Sequence, residues 1–357
     1  MSKPELLILT GLPASGKSTH ARAWQQEDPD GRIRVNWAEA RRARYGPDWI
    51  WNRPEEEQMK AAVRSTVVDA LKAGLSVVVD NVNLSRHVRA SWLALATDLG
   101  AEYVEEEIPT PLHICVARDR LRGPARVGQA VIDGMALEYG LVDWWDERSV
   151  VRGTYHTTSP RPRPIAIVDI DGTLADDSHR LGHLEAKLIH TAGCTSGCDC
   201  GHLVDGAGHP AACPARNYDK GECPQCGAKL RKNWGGYFAE VSNDIPIKGL
   251  VGMLERLNDH LIILVSGRPT TNGAAKVGIM TEDWLLQHGV PFDLLFLKTR
   301  NFHQRGVDFK RAILEHLPRE RVAYVFENST ECARMYREEL AKIGKGAIVM
   351  QVAEEAR

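Results

Sequence analysis

Short apolar runs recur along the chain, and most are followed by stretches whose apolar positions repeat at helical spacing. Residues 5–10, 75–80, 102–108, 165–169, 261–266 and 322–326 read as strands. Between them, residues 20–26, 55–73, 85–99, 111–121, 249–260 and 280–288 carry helical periodicity. Gly74 separates a helical run from its strand, where a C-terminal glycine stop belongs. Strands separated by helices of ~10–15 residues predict βαβ units, hence an α/β protein with parallel sheets.

The pattern starts twice. Lys3-Pro4 leads into the first strand and Arg161-Pro-Arg-Pro164 into the strand at 165–169, with an aperiodic, turn-forming stretch at 152–160 between them. The expected organisation is a domain over 1–151, a linker over 152–164 and a second domain over 165–357, which suits 357 residues at ~150 per domain. With 43% apolar and 26% charged residues, wholesale disorder and coiled coil are excluded. No apolar run approaches the ~18 residues of a membrane helix. A net charge of −2 offers no global basic field. The amino-terminal residues lack the pattern of a signal peptide, so an intracellular, reducing, cytoplasmic setting is expected. Six of the eight cysteines fall within 194–226, and in that setting they read as metal ligands.

Gly11-Leu-Pro-Ala-Ser15-Gly16-Lys17-Ser18 completes the G-x₄-G-K-[ST] pattern directly after a strand and before an amphipathic stretch. Glycines let the backbone wrap phosphates, Lys17 reaches their oxygens, and Ser18 is placed for Mg²⁺. Gly11, Ser15, Gly16, Lys17, Ser18 and Thr19 form the expected ATP-binding set, joined by Arg118 and Arg122. Asp80 ends a strand, where it can orient metal or substrate or simply cap the following helix. The arginines at 118, 120, 122 and 126 suit a lid over transferring phosphate, or else a solvated basic face.

Asp169-Ile-Asp171-Gly-Thr-Leu174 places two carboxylates at the end of a buried strand. Carboxylates that close repel unless a cation bridges them or one is protonated, which suits a nucleophile beside Mg²⁺ and an acid/base partner. This run resembles the first motif of the haloacid dehalogenase superfamily of phosphohydrolases. Ser266-Gly267-Arg268 after a strand fits its second motif, Lys310 its third, and Glu327-Asn328 its fourth.

A phosphate loop joined to such a phosphatase resembles the phage-type polynucleotide kinase 3′-phosphatases. Counterparts lie at 35–41, 80–84, 118–123, 169–171, 178–180, 266–268 and 335–337. The resemblance implies an amino-terminal P-loop kinase domain and a Rossmann-like phosphatase domain, using ATP and Mg²⁺ on RNA or DNA ends. It implies that Lys17 and Ser18 hold ATP, Arg122 stabilises the transferring phosphoryl group, Asp80 lies near the acceptor and Arg41 grips the acceptor phosphate. Asp169 would be phosphorylated, Asp171 would act as acid then base, and Ser266, Gly267 and Lys310 would hold the phosphoryl group. Arg180 and Arg268 would hold the nucleotide, while Asp169, Asp171, Glu327 and Asn328 would surround Mg²⁺. Phage origin in a bacterial host, homo-oligomerisation and a functional link with a ligase are consistent with it. Two positions depart from the pattern. Ala38 stands where the family's kinase carries its general-base aspartate, leaving Glu39 or Asp80 to substitute or the kinase impaired. Asn328 replaces the second of two adjacent aspartates, while Glu327 can still ligate a hard cation.

The insert at about 188–232 interrupts the phosphatase pattern. Cys223-Pro-Gln-Cys226-Gly227 is a zinc half-site, and Cys194, Cys198, Cys200 and Cys213 offer several pairings for the remaining ligands of structural Zn²⁺. Zinc would fold a polar segment too short to fold alone, and the resemblance implies that an insertion after the first phosphatase motif forms a cap over the site. Cys115 and Cys332 are expected in the core. Trp49, Trp51, Trp144 and Trp145 are expected in helix packing more than in base stacking. Two rival readings stand beside the end-healing enzyme: a small-metabolite kinase/phosphatase fusion, and a 3′-phosphatase whose first half only binds ATP or nucleic acid.

Overall fold

The computed structural model describes residues 3–46, 49, 52–142, 163–184, 187–189, 229–231, 233–273, 275–299, 305–344 and 346–352. The first half runs β1 (Glu5–Thr10), α1 (Lys17–Gln26), β2 (Arg32–Val35), α2 (Trp37–Tyr45), α3 (Arg53–Lys72), β3 (Ser76–Asp80), α4 (Arg86–Leu99), β4 (Glu102–Glu107), α5 (Leu112–Arg120) and α6 (Gln129–Glu138). The second runs β5 (Ile165–Val168), β6 (Ala175–Asp176), β7 (Lys187–Ile189), β8 (Lys229–Arg231), α7 (Trp234–Ala239), β9 (Ile245–Pro246) and α8 (Lys248–Arg256). It continues with β10 (Leu261–Pro269), α9 (Val277–Gln287), β11 (Leu294–Lys298), α10 (Gly306–His316), β12 (Val322–Glu327), α11 (Thr330–Ala341) and β13 (Ile348–Gln351).

The expected parallel sheets are present. One has the order β2-β3-β1-β4 and the other β11-β10-β5-β12-β13, every pairing parallel. In each sheet the strand carrying the principal motif is internal: β1 and β5 are buried almost completely, as their unbroken apolar runs require. β4, with the sequence EYVEEE, lies at an edge and keeps its alternate glutamates exposed. α3 stops as its sequence asks. Gly74 takes a φ of +83° while its N–H bonds to the Leu71 carbonyl and that of Leu75 bonds to Ala70.

α6 lies in the first half of the chain but packs against the second sheet. Asp133 on α6 accepts a hydrogen bond from the Leu295 N–H of edge strand β11 (2.9 Å), and Gln129 donates to the Asp293 carbonyl (3.0 Å). The helix thereby covers an edge that would otherwise be open. A single buried cluster runs from Leu12 and Cys115 through Ile132 to Ile165, Val265 and Phe296.

Candidate functional sites

The loop between β1 and α1 shows why its glycines are needed. A Cβ on Gly11, at φ +143°, would lie 2.9 Å from both the Ile108 carbonyl oxygen and Ser15 Oγ. Gly16, at φ +111°, opens α1. Lys17 Nζ curls back to the carbonyls of Gly11 (2.9 Å) and Leu12 (2.7 Å) and to Ser15 Oγ (3.2 Å). Burial lowers the Lys17 ammonium to about 8, against the pull of Asp80. Arg118 Nη1 and Thr110 Oγ1 both donate to the Ser15 carbonyl, at 3.2 and 2.6 Å. Ser15, Gly16, Lys17, Thr110 and Arg118 line a cleft of about 840 Å³ together with Ser18, Thr19, Ala38, Glu39, Arg42 and Arg122, whereas Gly11 shapes the loop without lining it. A loop cleared of Cβ atoms, a helix N-terminus and a buried ammonium suit a nucleotide's phosphates, and the Ser18 hydroxyl suits Mg²⁺.

The acceptor side differs from the expectation: neither Asp80 nor Arg41 lines that cleft. Asp80 is buried and accepts two hydrogen bonds from Arg34 (2.6 and 2.9 Å) and one from Asn36 (3.1 Å). Glu39 is engaged by Arg34 on both oxygens (2.8 and 2.9 Å) and by Arg22, and hydrogen bonding from Arg34 holds its carboxyl below the usual range. Both residues named as substitutes for a base at position 38 are thus paired with arginine. Arg41 forms a two-pronged pair with Glu56 (3.0 and 2.9 Å), and its neighbour Arg42 lines the cleft. Arg42 lies one position beyond the motif-like segment at 35–41, which drew attention to Arg41.

The second site sits where β5, β10 and β12 end side by side. The backbone N–H of Asp169 still bonds to the Phe326 carbonyl of β12 (3.0 Å), and Gly172 turns the chain with a φ of +70°. Lys310 on α10 donates to Asp169 Oδ1 (2.7 Å) and to Glu327 Oε2 (2.6 Å). Thr173 Oγ1 reaches Asp169 Oδ2 (3.4 Å) and accepts the Asn328 N–H (3.0 Å). Asp171 is held by a different set of partners. Arg268 Nε and Nη2 and Arg180 Nη2 all donate to its carboxylate (2.7–3.1 Å for Arg268, 2.5 Å for Arg180), and Ser266 Oγ lies 3.3 Å from it. Burial works to raise the Asp171 carboxyl, but Arg268 and Arg180 overcome it and hold it down at about 2. Burial pushes Asp169 up, against Lys310 and with the negative charges of Glu327 and Asp171.

Asp169, Asp171, Gly267, Lys310, Glu327 and Asn328 line one cleft of about 290 Å³. Their oxygens are the donors a hard cation prefers. Among the described residues, however, no three His, Cys, Asp or Glu side chains form a metal-ligating group. Asp169 and Glu327 clasp Lys310 instead, and Asp171 is held by arginines.

One component was missed by sequence reasoning. Asp244, fully buried, accepts from Arg180 Nε (2.6 Å) and Nη2 (2.8 Å) and from Arg268 Nη2 (2.6 Å), so one carboxylate aims both arginines at Asp171. It lies in a turn between α7 and β9 with no motif around it, so no local signal marks it. Cys115 and Cys332 are buried as expected, and Trp49 stacks on Tyr45 at 5.4 Å. Cys194, Cys198, Cys200, Cys213, Cys223, Cys226, Trp51, Trp144 and Trp145 lie outside the described residues, as does most of the expected linker.

Residues 6–141 match a family model described as an AAA domain. An L-seryl-tRNA(Sec) kinase of Methanococcus maripaludis is 27% identical over 132 residues, which is 36% of this chain and 50% of that protein. An adenylyl-sulfate kinase of Shewanella halifaxensis is 30% identical over 131 residues, 36% of this chain and 63% of its own length. The chain therefore spans between 50% and 63% of the curated relatives it matches. Among solved structures, a Pnkp1/Rnl/Hen1 RNA repair complex aligns over 100% of this chain and 98% of its own, at 20% identity and a TM-score of 0.34. A Mycobacterium tuberculosis APS kinase, CysC, aligns over 33% of this chain and 70% of its own, at 20% identity and a TM-score of 0.28. The first half is a P-loop, kinase-like, nucleotide-binding α/β domain. No helix among the described residues is long and apolar enough to cross a membrane.

Proposed function

We propose that the chain heals nucleic-acid ends, phosphorylating 5′-hydroxyls at the first cleft and removing 3′-phosphates at the second. The observation that carries this reading is the convergence of Asp169 and Asp171 after β5, Glu327 at the end of β12 and Lys310 from α10 on one cleft, in a chain that also carries a phosphate-loop cleft. At the second cleft an Asp169 oxygen attacks phosphorus, forming an aspartyl phosphate as the 3′-oxygen leaves. Lys310, with Ser266 and the backbone at Gly267, offsets charge on the phosphoryl oxygens. Asp171, held ionised, is already in the form that accepts a proton from the water that hydrolyses the aspartyl phosphate. Before it can protonate the leaving 3′-oxygen it must take up a proton from solvent, which loosening of its contacts with Arg180 and Arg268 would allow. Mg²⁺, held by Asp169, Asp171, Glu327 and Asn328, would neutralise phosphate charge.

At the first cleft Lys17, Arg118 and Arg122 hold the nucleotide's phosphates, and Ser18 would hold Mg²⁺, which would neutralise their charge. Ala38 lines this cleft with no proton acceptor, and both neighbouring carboxylates are tied to arginine. That favours a second reading, in which the first half chiefly binds ATP or nucleic acid for a 3′-phosphatase. The Cys-rich insert, with structural Zn²⁺ on some of its six cysteines, would act as a cap that selects ends. RNA or DNA ends and a ligase are the partners this reading names.

End-labelling of a 5′-hydroxyl oligonucleotide with γ-labelled ATP, beside phosphate release from a 3′-phosphorylated one, tests both halves. The expected result is 3′-phosphate release that Asp169→Asn abolishes. Release unaffected by Asp169→Asn, or none from any 3′ end, sinks the reading.

A further inference from the structure

The arginines at 118–126 divide between two tasks. Arg118 and Arg122 line the first cleft. Arg120, between them, points to the other half of the chain, where its Nε donates to Glu282 Oε1 on α9 at 2.8 Å and its Nη2 to Gln129 Oε1 at 2.8 Å. Arg126 Nη2 donates to Glu282 Oε2 (2.8 Å), which also accepts the Gln129 N–H (3.0 Å). Glu282 is fully buried, so two guanidinium groups and a backbone amide surround one carboxylate out of water. The same loop touches α9 twice more: Lys276 Nζ donates to the Pro124 carbonyl (3.0 Å), and a Cβ on Gly128 would meet Ile279 Cγ1 at 2.9 Å.

The loop's other anchor belongs to its own half. Asp119 accepts the N–H groups of Val127 (3.1 Å) and Gly128 (2.9 Å), and it also accepts from Arg122 Nη1 (3.3 Å). The segment that presents Arg122 is therefore held from below by Asp119 and from the side by Glu282. We propose that Glu282, carried by the second half, is a positioning residue for the first cleft, fixing the loop that brings Arg122 to a nucleotide's terminal phosphate. This rests on the nucleotide-binding reading of that cleft. Glu282 is buried while Arg120 is about a third exposed, and Arg126 also pairs with Asp283 (2.8 Å), so an isosteric amide at 282 would remove the shared carboxylate and leave Arg120 without a counter-charge. A carboxylate that merely joined the halves would have no reason to act through Arg122.

The test is calorimetric titration of the full chain with ADP and with a non-hydrolysable ATP analogue, both with Mg²⁺, beside hydrogen exchange of the 121–129 amides. In Glu282→Gln, the preference for triphosphate over diphosphate is expected to fall about fivefold, with ADP affinity held within about twofold. Amides of Val127, Gly128 and Gln129 should exchange at least about tenfold faster, while β5 and β10 keep their protection. In an Arg122→Ala background the same change should cost no further preference. An unchanged preference, or an equal fall without Arg122, overturns the proposal. Failure of the unaltered chain to bind either nucleotide overturns the reading of the cleft itself, and this shows before any variant is made. Should Glu282→Gln lose its fold, Glu282→Gln with Arg120→Gln removes the carboxylate together with the guanidinium that has no second carboxylate, while Arg126 keeps Asp283, and the same loss of preference is expected there.

Discussion

Lys310 donates its ammonium to Asp169, a residue 141 positions earlier in the chain, at 2.7 Å. Burial works against the Lys310 charge, but Asp169 and Glu327 overcome it and raise its pKa. The ammonium is thus a permanent cation on the floor of the cleft. Lys310→Met leaves two carboxylates facing each other, so unfolding free energy should drop by about 3–5 kcal/mol. Release of 3′-phosphate should fall on the order of 10²–10³-fold, as when a charge-stabilising donor is removed. Denaturant titration and phosphate release check the two effects separately, and a variant with near-normal release would remove Lys310 from the mechanism.

Ala38 can be repaired. Because it lines the first cleft at the start of α2, an aspartate there reaches the acceptor side without disturbing buried packing. Ala38→Asp is expected to raise 5′-labelling by about 10²–10⁴-fold, the usual contribution of a general base. No gain, with nucleotide still bound, would favour the binding-module reading of the first half.

Asp244 has no contact with substrate in the proposed mechanism, yet it sets the aim of Arg180 and Arg268. Asp244→Ala would leave Asp171 as the carboxylate that pairs both guanidinium groups, beside the Thr281 hydroxyl on Arg268 and the Tyr237 carbonyl on Arg180. A loss of about 3–5 kcal/mol in stability is expected from uncompensated buried charge. A thermal midpoint unchanged from the parent would show that the arginines find other partners.

Burial pushes the Asp133 carboxyl up to about 8. Its Oδ1 is buried with no hydrogen-bond partner among the described residues. Between the unfolded value near ~4 and the folded value, the native state binds a proton that the unfolded chain does not. Stability from this group is therefore full below that lower value and declines as pH rises through the folded one. Asp133→Asn removes the titration, so the variant should gain on the parent by on the order of 2–4 kcal/mol between pH 5 and pH 8. Urea unfolding at the two pH values checks the sign; a difference that stays constant would place the proton elsewhere.

The strands bearing chemistry were legible because two constraints coincide in them. β1, β5, β10 and β12 are continuous apolar runs, as buried parallel strands must be, and each delivers a polar residue at its carboxyl end. β2 escaped notice because its sequence RIRV alternates like a half-exposed strand and spans only four residues. α2 has no buried residue, so no apolar stripe marks it. β11 is a five-residue strand, four of its residues apolar, that follows a helix closely and carries no motif. α6 belongs by sequence to the expected 1–151 domain, and only the fold reveals that it packs against β11. The clasp of Glu282 on Arg120 and Arg126 joins residues roughly 160 positions apart, and no local pattern encodes such a pair.

The buried cluster running from Leu12 through Ile132 to Phe296 ties Leu12 and α5 to the second sheet, while the strands of the first sheet pack in clusters of their own. Heat that loosens the second sheet therefore also loosens the footing of the phosphate loop, so the first activity should not outlast the second. It also changes where the gene should be cut. A fragment ending at the Pro-rich stretch carries α6 away from the strand it shields, and the remaining piece would present β11 as a bare edge inviting a second copy. A cut made before α6 keeps that shield with the strand it protects.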